Sequence, residues 1–262
     1  MKPENVALKY LSLRVAARYK DKIKTEAGNT VYLYSERQVS KRNKDKAERL
    51  DKLMDNIGKV RAQVKKDLKS SDLETRLVAL AVGLMDHTAE RVGNEDSAEE
   101  GHFGVTGWTK DHLSFGKGKA KLKYVGKSGV SHDKQVTDAA LVKALKDASE
   151  ACEGGIFVHK DTKVTAQKVN EYLKKFDITA KDLRGLHANQ VMRDELKKIR
   201  KGDLPKDAKE RKKQLKEEFK KALEITAENV GHTSSTLRNQ YLTPGLEDEY
   251  MMGRIMERMT KE

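Results

Sequence analysis

The sequence predicts an α+β fold that is mainly α and contains one small three-stranded antiparallel sheet. Over residues 44–68, apolar residues recur at three- and four-residue steps, which is the spacing of an amphipathic helix. Residues 73–87 are apolar on nearly all sides, which indicates a helix at the centre of a core. Between residues 111 and 137, short apolar stretches alternate with glycine-containing turns, a pattern typical of antiparallel strands.

The composition points to a polyanionic partner. The chain has 262 residues, with 54 Lys and Arg against 41 Asp and Glu, and a net charge of +13. Nucleic acid is the first candidate. A membrane is the alternative, but we find neither an apolar run of the ~18 residues that span a bilayer nor a signal peptide. Cys152 is the only cysteine, so no internal disulfide and no cysteine metal site is expected, which fits a reducing compartment.

The chain is expected to divide near residue 43. Residues 1–43 form a short N-terminal segment, in which residues 6–19 could be a helix and residues 30–34 a strand. Residues 44–262 form the main domain, which begins with the amphipathic helix. We expect a protein of the cytoplasm, of the nucleoid or of a virus, neither secreted nor bound to a membrane.

The three strands are expected within residues 111–137. Gly116-Lys117-Gly118 turns the first strand into the second, and Gly126-Lys127-Ser128-Gly129 turns the second into the third. This prediction places Lys127 at the tip of a hairpin.

The rest of the chain is predicted to be helical. Short helices are expected over residues 138–148 and 165–176. Thr179 begins another, because Asp182 stands at the capping-box position, so Arg184 lies in its first two turns. Residues 193–221 are rich in charge and indicate two solvated helices with a loop between them. A last amphipathic helix is expected over residues 246–260.

One stretch near the end combines a histidine with a tyrosine. His232 precedes Tyr241 by nine positions, and the Thr/Ser cluster after the histidine is a helix start signal. A phenol is a poor nucleophile unless cations surround the phosphate that it attacks. A tyrosine on a short helix is more often a packing residue, so the interpretation depends on the cations. The candidates, in chain order, are Arg91, Lys127 and Arg184.

This order of residues resembles the type IB DNA topoisomerases, most closely the small poxvirus-like and bacterial branch. The resemblance extends from about residue 44 to residue 244. The matching motifs are Arg91-Val92-Gly93-Asn94-Glu95, Gly104-Val105-Thr106-Gly107, Tyr124-Val125-Gly126-Lys127 with Val130 and His132, Thr179-Ala180-Lys181-Asp182-Leu183-Arg184, and Val230-Gly231-His232-Thr233 with Tyr241. Each motif alone is weak, whereas five in the same order are specific. The resemblance implies the DNA breaking-rejoining type of helical catalytic domain.

The resemblance also implies a role for each residue. Tyr241 attacks a backbone phosphodiester and holds the 3′-phosphate. Arg91 and Arg184 bind the non-bridging oxygens, since guanidinium groups match phosphate. His232 donates a hydrogen bond to one of these oxygens, and Lys127 protonates the leaving 5′-oxygen.

Further implications concern partners. Lys181 matches a supporting position of the family. The partner is double-stranded DNA, supercoils of both signs are relaxed, the protein works as a monomer, and neither ATP, a metal nor another small-molecule cofactor is required. The family carries an N-terminal, sheet-rich domain that closes over the duplex; in this chain, residues 1–43 form either a reduced cap or an incomplete clamp. Ser128 follows the hairpin lysine where some relatives have an acidic residue.

Two alternatives stay open at this point. A tyrosine recombinase or integrase shares the Arg–Lys–Arg–His–Tyr set, but recombinases usually carry a histidine where this chain has Lys181. A non-catalytic, basic DNA-binding protein would explain the charge alone. It predicts salt-dependent binding without a covalent adduct.

Overall fold

The computed structural model describes residues 21–24, 30–33, 36–152, 154–200 and 202–255. The chain divides into two compact units, Met1–Glu48 and Arg49–Glu262. Within the described ranges, no helix is both long and apolar enough to cross a bilayer.

The first unit contains a two-stranded antiparallel sheet and the start of a long helix. Strands β1 (Asp21–Lys24) and β2 (Thr30–Leu33) pair along their whole length. The strand predicted over residues 30–34 is thus found over its first four residues, whereas the helix suggested for residues 6–19 lies outside the described residues. Helix α1 (Glu36–Asp67) begins eight residues before the predicted position 44. Residues 36–43 carry little apolar periodicity but consist largely of residues that favour helix.

In the second unit, α2 lies at the centre of a large apolar core. Helix α2 (Leu73–Thr88) begins at Asp72, whose side chain accepts from Thr75 N, and ends at Ala89, which adopts a left-handed φ of 60°. Every residue from Leu77 to Met85 is buried, which confirms the predicted core helix. The following residues of α1 pack into the same core: Leu50, Leu53, Ile57, Val60 and Val64.

The predicted three-stranded sheet is confirmed. Its strands β3 (Leu113–Gly116), β4 (Lys119–Val125) and β5 (Ser131–Val136) are antiparallel and lie in this order. Burial alternates along β4, because Ala120, Leu122 and Tyr124 face the core while its three lysines and Val125 face solvent. Lys127–Gly129 forms a single 3₁₀ turn between β4 and β5, so Lys127 lies at the hairpin tip as predicted.

Helices make up most of the remaining structure. They are α3 (Glu95–Glu99), α4 (Ala139–Ala151), α5 (Ala166–Lys174), α6 (Ala180–Ile199), α7 (Ala208–Val230), α8 (Ser234–Thr236) and α9 (Leu246–Met251), with the two-residue strands β6 (Val158–His159) and β7 (Thr162–Lys163) between α4 and α5. A second apolar core forms between α6, α7 and α9. The two cores meet along α6, where Leu186 belongs to the first and Ala188 to the second.

The last helix is shorter than predicted. Helix α9 ends at Met251, and Gly253 follows in a left-handed conformation with a φ of 88°. The prediction of a helix over residues 246–260 is therefore wrong from Met252 to Ile255, while residues 256–262 lie outside the described ranges. The amphipathic pattern was read through Gly253, which is a common helix terminator.

Candidate active site

The segment that carries Arg91 is held by the glycine-rich loop that follows it. Val105 N donates to Arg91 O (2.9 Å), and Thr106 N donates to Val92 O (2.8 Å). The two backbones are so close that a Cβ on Gly104 would lie 2.5 Å from the nitrogen of Gly93. Two motifs that the sequence presents separately are therefore one structural unit, and this unit fixes the start of the Arg91 side chain.

Helix α6 carries the second arginine into the interior. Its first turn is closed by the predicted capping box, in which Thr179 N donates to Asp182 Oδ2 (2.8 Å). Arg184 is only 4% exposed. Its Nη2 donates to Val230 O (2.6 Å), whereas its Nε and Nη1 have no hydrogen-bond partner among the described residues. Burial and the neighbouring Arg91 lower the pKa of Arg184.

His232 lies between the two arginines. Helix α7 ends at Gly231, which adopts a left-handed φ of 65° and turns the chain towards α6. Arg184 Nη2 lies 3.0 Å from Nε2 of the imidazole, and Arg91 Nη2 lies 3.3 Å from its Nδ1. Burial, followed by the charges of Arg184 and Arg91, lowers the pKa of His232 to about 3.

The neutral imidazole cannot satisfy both guanidinium groups. It has one acceptor nitrogen and one N–H group, so only one of the two arginines can donate to it at a time. The other guanidinium faces an N–H group. An anion that accepts from both arginines, and also from the histidine, removes this conflict.

Tyr241 stands next to this cationic group. Thr233 caps the short helix α8, as the sequence predicts, and residues Leu237–Tyr241 form a single π-helical turn. The Tyr241 ring lies 4.5 Å from the His232 ring, centroid to centroid, and Lys181 Nζ lies 5.9 Å from the same ring. The structure thus brings together five predicted residues: Arg91, Lys181, Arg184, His232 and Tyr241.

Lys127 is the predicted residue that the structure does not bring into contact with the others. Its side chain is exposed at the β4–β5 turn, and its ammonium makes no hydrogen bond or ion pair with any described residue. Its role as general acid stays a prediction.

Asn189 is a residue of the site that the sequence did not reveal. It is 1% exposed, and its Nδ2 donates to Gly185 O (2.7 Å) and to Tyr241 O (2.8 Å). Its Oδ1 accepts from Thr243 N (2.7 Å). One amide therefore holds the backbone on both sides of Leu242. The available signal was an asparagine at an apolar position of a helix, five residues after Arg184.

Two further buried groups lie behind Arg91. Glu90 is 2% exposed and accepts from His132 Nδ1 (2.9 Å), while Lys134 Nζ lies 3.7 Å away from the same carboxylate. Burial raises the pKa of Glu90, but the hydrogen bond and charge of His132, with the charge of Lys134, outweigh this effect and leave the pKa below its usual range. His132 belongs to one of the motifs that resemble the family, but the sequence predicted no role for it.

The arrangement can bind a tetrahedral anion beside a phenol. Two guanidinium groups and an imidazole face one another, and the carboxylate behind Arg91 is engaged by His132 and Lys134. In the described ranges, no three His, Cys, Asp or Glu side chains are grouped as metal ligands. A phosphodiester held by these donors would lie next to the Tyr241 ring.

Comparisons with known proteins found a family model, a plant relative and a solved structure to which this chain is similar. The model of the eukaryotic DNA topoisomerase I catalytic core matches residues 35–256. DNA topoisomerase 1 beta of Arabidopsis thaliana is 31% identical over 171 residues, which are 62% of this chain and 18% of the plant protein. A post-cleavage complex of the XerH site-specific recombinase with palindromic difH substrate has a TM-score of 0.42 and 14% identity, and covers 73% of this chain and 47% of its own. Since the family model matches most of its length, this chain belongs to the eukaryotic DNA topoisomerase I catalytic-core family.

Proposed function

We propose that the protein is a type IB DNA topoisomerase, which relaxes positive and negative supercoils through a transient single-strand break. The observation that carries the proposal is the buried Arg184 guanidinium. Two of its nitrogens have no partner among the described residues, and it lies beside Arg91, His232 and the Tyr241 ring. Such a donor set is suited to the extra negative charge of a pentacoordinate phosphorus.

In the proposed reaction, the Tyr241 oxygen attacks a backbone phosphorus as the phenolic proton leaves to solvent. The bond from phosphorus to the 5′-oxygen breaks, and Lys127 gives the leaving oxygen its proton. The product is a 3′-phosphotyrosyl link and a free 5′-hydroxyl strand. Religation is the reverse step. Because one ester is exchanged for another, the bond energy is retained and ATP is not needed; we propose that no metal or other cofactor takes part.

The neutral state of His232 suits its proposed role. A neutral imidazole can donate its N–H group to a phosphate oxygen, and the incoming negative charge favours the protonated form. Lys181, 5.9 Å from the ring centroid of Tyr241, would favour the developing phenolate through its charge. Arg91 and Arg184 then hold the two non-bridging oxygens.

The proposed partner is duplex DNA, bound as a monomer and mainly through its phosphates. The net charge of +13 supports a salt-dependent interaction with little base readout. We further propose residues 44–262 as the catalytic domain and residues 1–43 as a reduced clamp cap. The named plant relative is far longer than the segment that it shares with this chain.

The decisive experiment uses negatively supercoiled plasmid in EDTA without ATP, quenched with SDS. We expect the wild type to give relaxed topoisomers and a protein–DNA adduct at a 3′ end. Tyr241→Phe should bind DNA and give neither product. Tyr172→Phe is the matched control: it also removes one hydroxyl, which in the wild type donates to Asp67, and should relax plasmid normally.

Other outcomes would contradict the proposal in different ways. Binding without relaxation or adduct would indicate a non-catalytic DNA-binding protein. An adduct formed only on one defined site, with no relaxation of plasmids lacking it, would indicate a recombinase. An adduct at a 5′ end would exclude the type IB polarity.

A further inference from the structure

The imidazole of His132 lies where three segments of the proposed active site meet, although no step of the proposed reaction uses it. It contacts the residue before Arg91, the residue before Lys127 and the residue before His232. These residues are Glu90, Gly126 and Gly231. The side chain comes from β5, directly opposite Tyr124 on β4.

Two contacts fix the orientation of this ring. His132 Nδ1 donates to Glu90 Oε1 (2.9 Å), and the ring stacks on Tyr124 with a centroid distance of 4.9 Å and an interplanar angle of 1°. His132 is only 5% exposed, so the surrounding residues leave the ring little freedom to move. The ring is therefore a rigid part of the structure rather than a flexible filler.

Two glycines allow the backbone to approach this rigid ring. A Cβ on Gly126 would lie 2.6 Å from His132 Nε2, and a Cβ on Gly231 would lie 2.6 Å from His132 Cε1. Gly126 has a φ of −95°, which any residue can adopt, so only the closeness of the ring demands glycine there. Both backbones thus lie against the edge of the same imidazole, Gly126 near Nε2 and Gly231 near Cε1.

The choice of histidine has a reason beyond filling space. Its Nε2 is buried without a hydrogen-bond partner among the described residues, a cost that an apolar ring would avoid. The group that histidine adds is the Nδ1–H donor to Glu90, which ties the hairpin to the Arg91 segment.

We propose that His132 is a positioning residue that holds Lys127 at a fixed distance from the Arg91–His232 phosphate site. The Lys127 ammonium makes no hydrogen bond or ion pair with a described residue, so its location depends on the backbone of its turn. The backbone of this turn contacts the His132 ring at Gly126. The same ring contacts Gly231, the residue before His232. This inference rests on the proposed function, because it gives Lys127 a leaving oxygen to protonate.

The test compares two duplex substrates in single-turnover cleavage. One has the normal bridging 5′-oxygen at the scissile phosphate, and the other has sulfur there. A thiol has a reference pKa of ~8.5, so the sulfur leaves as a thiolate without a proton from Lys127. Lys127→Ala should therefore slow cleavage of the oxygen substrate and leave cleavage of the sulfur substrate nearly unchanged.

His132→Ala should reproduce this pattern. We expect about a 100-fold loss on the oxygen substrate, the size of effect that a displacement near 1 Å can cause, and recovery on the sulfur substrate. His159→Ala is the control, because His159 is similarly buried and its Nε2 donates to Ile156 O (2.9 Å) in a different region. It should cleave both substrates at the wild-type rate. Equal losses of His132→Ala on both substrates, or no loss, would overturn the proposal.

A second variant keeps the test valid if His132→Ala folds poorly. Gly126→Ala keeps the ring but inserts a methyl group between it and the turn, so the oxygen substrate should again be cleaved about 100-fold more slowly. In the double variant Gly126→Ala/His132→Ala, the inserted methyl group no longer meets the ring, and the second change should add little. Fully additive losses would show that Gly126 acts independently of His132.

Failure of this inference is distinguishable from failure of the proposed function. A wild type that cleaves neither substrate would overturn both. A wild type that cleaves both substrates, together with a His132→Ala variant of equal rate, would overturn the role of His132 alone.

Discussion

Two arginines in the second unit, the buried Arg184 and the partly buried Arg200, have opposite surroundings. Arg184 has a backbone carbonyl, an imidazole and a second arginine as neighbours, and no carboxylate of a described residue bonds to it. Arg200 lies at the C-terminal end of α6 and contacts Glu218 (Nε to Oε2, 3.3 Å) and Gly253 O (2.8 Å). Its guanidinium also lies 4.2 Å from the centre of the Tyr250 ring.

The neighbouring tyrosines differ in the same way. The Tyr250 hydroxyl donates to Glu218 Oε2 (2.5 Å), and burial, followed by this hydrogen bond, raises the pKa of Tyr250 to about 12. The Tyr241 hydroxyl bonds to no described residue, while its ring touches His232. In the Arg200–Tyr250 group, the carboxylate of Glu218 balances the guanidinium charge, although Arg200 Nη2 has no hydrogen-bond partner among the described residues. In the Arg184–Tyr241 group, two guanidinium nitrogens lack a partner and no described carboxylate bonds to the guanidinium, so its charge is left for a ligand. This contrast indicates that the Arg200–Tyr250 group is a structural network and the Arg184–Tyr241 group a candidate anion-binding site.

The largest effect is expected from the same substitution at both arginines. Arg184→Met removes a phosphate donor, so cleavage should fall on the order of 10²–10³-fold with little loss of stability. Arg200→Met leaves the carboxylate of Glu218 without its cation, so the free energy of unfolding should fall by about 3 kcal/mol while the cleavage rate is retained. Single-turnover cleavage and urea unfolding of both variants measure the two quantities. Equal losses of rate would remove the distinction between the two groups.

A smaller effect is expected at the amide that ties Tyr241 to α6. Asn189→Leu removes the bond to Tyr241 O and the acceptor for Thr243 N, so the nucleophile loses its anchor. We expect cleavage to slow by about 10- to 100-fold, with DNA binding retained. Asn56→Leu is the control, since it also removes an amide bonded to a carbonyl, that of Phe176, far along the chain. A normal cleavage rate in Asn189→Leu would show that the Asn189 amide does not position the tyrosine segment.

The difference between the two groups also shows what the sequence could reveal. Arg184 and Tyr241 were identified through short motifs that resemble the type IB family, and local cap signals placed them on helices. Thr179 caps α6 five residues before Arg184, and Thr233 caps the turn before Tyr241. Asn189 and the Glu90–His132 pair were missed because their partners lie 52 and 42 positions away. Contacts across such separations depend on packing, which local patterns do not encode.

The same reasoning applies to the fold. The core helix and the three-stranded sheet were predicted because burial imposes a clear period on their sequences. The start of α1 was missed because its first residues are charged and exposed, and so carry no period. The end of α9 was misplaced because one glycine outweighed an amphipathic pattern.

The smallest expected effect concerns the pH dependence of stability. The titrating residue is a histidine among cations in the Arg184–Tyr241 group and a carboxylate beside a cation in the Arg200–Tyr250 group. His232 has a pKa of about 3 in the folded protein and an ordinary value of 6.5. Between these values the unfolded chain binds a proton that the folded chain does not, so stability falls as pH decreases from 6.5 towards 3. Glu218 has a lowered pKa despite burial, because Tyr250, Gln214 and Arg200 stabilise its charge, and its contribution is also lost on acidification.

Because His232 and Glu218 both lower the stability of the protein on acidification, a variant is needed to separate their contributions. His232→Asn removes only the histidine contribution, so its stability should equal or approach that of the wild type at pH 7.5 and exceed it increasingly below pH 6.5. Urea unfolding at one-unit steps from pH 7.5 to 4.5 measures this difference, with His102→Asn, outside the cationic group, as the control. Inorganic phosphate should reduce the difference, since an anion between Arg91 and Arg184 favours the protonated imidazole. Parallel curves for wild type and His232→Asn would mean that the two arginines do not hold His232 neutral. The Arg184–Tyr241 group would then resemble the Arg200–Tyr250 group, in which the charges are balanced within the protein.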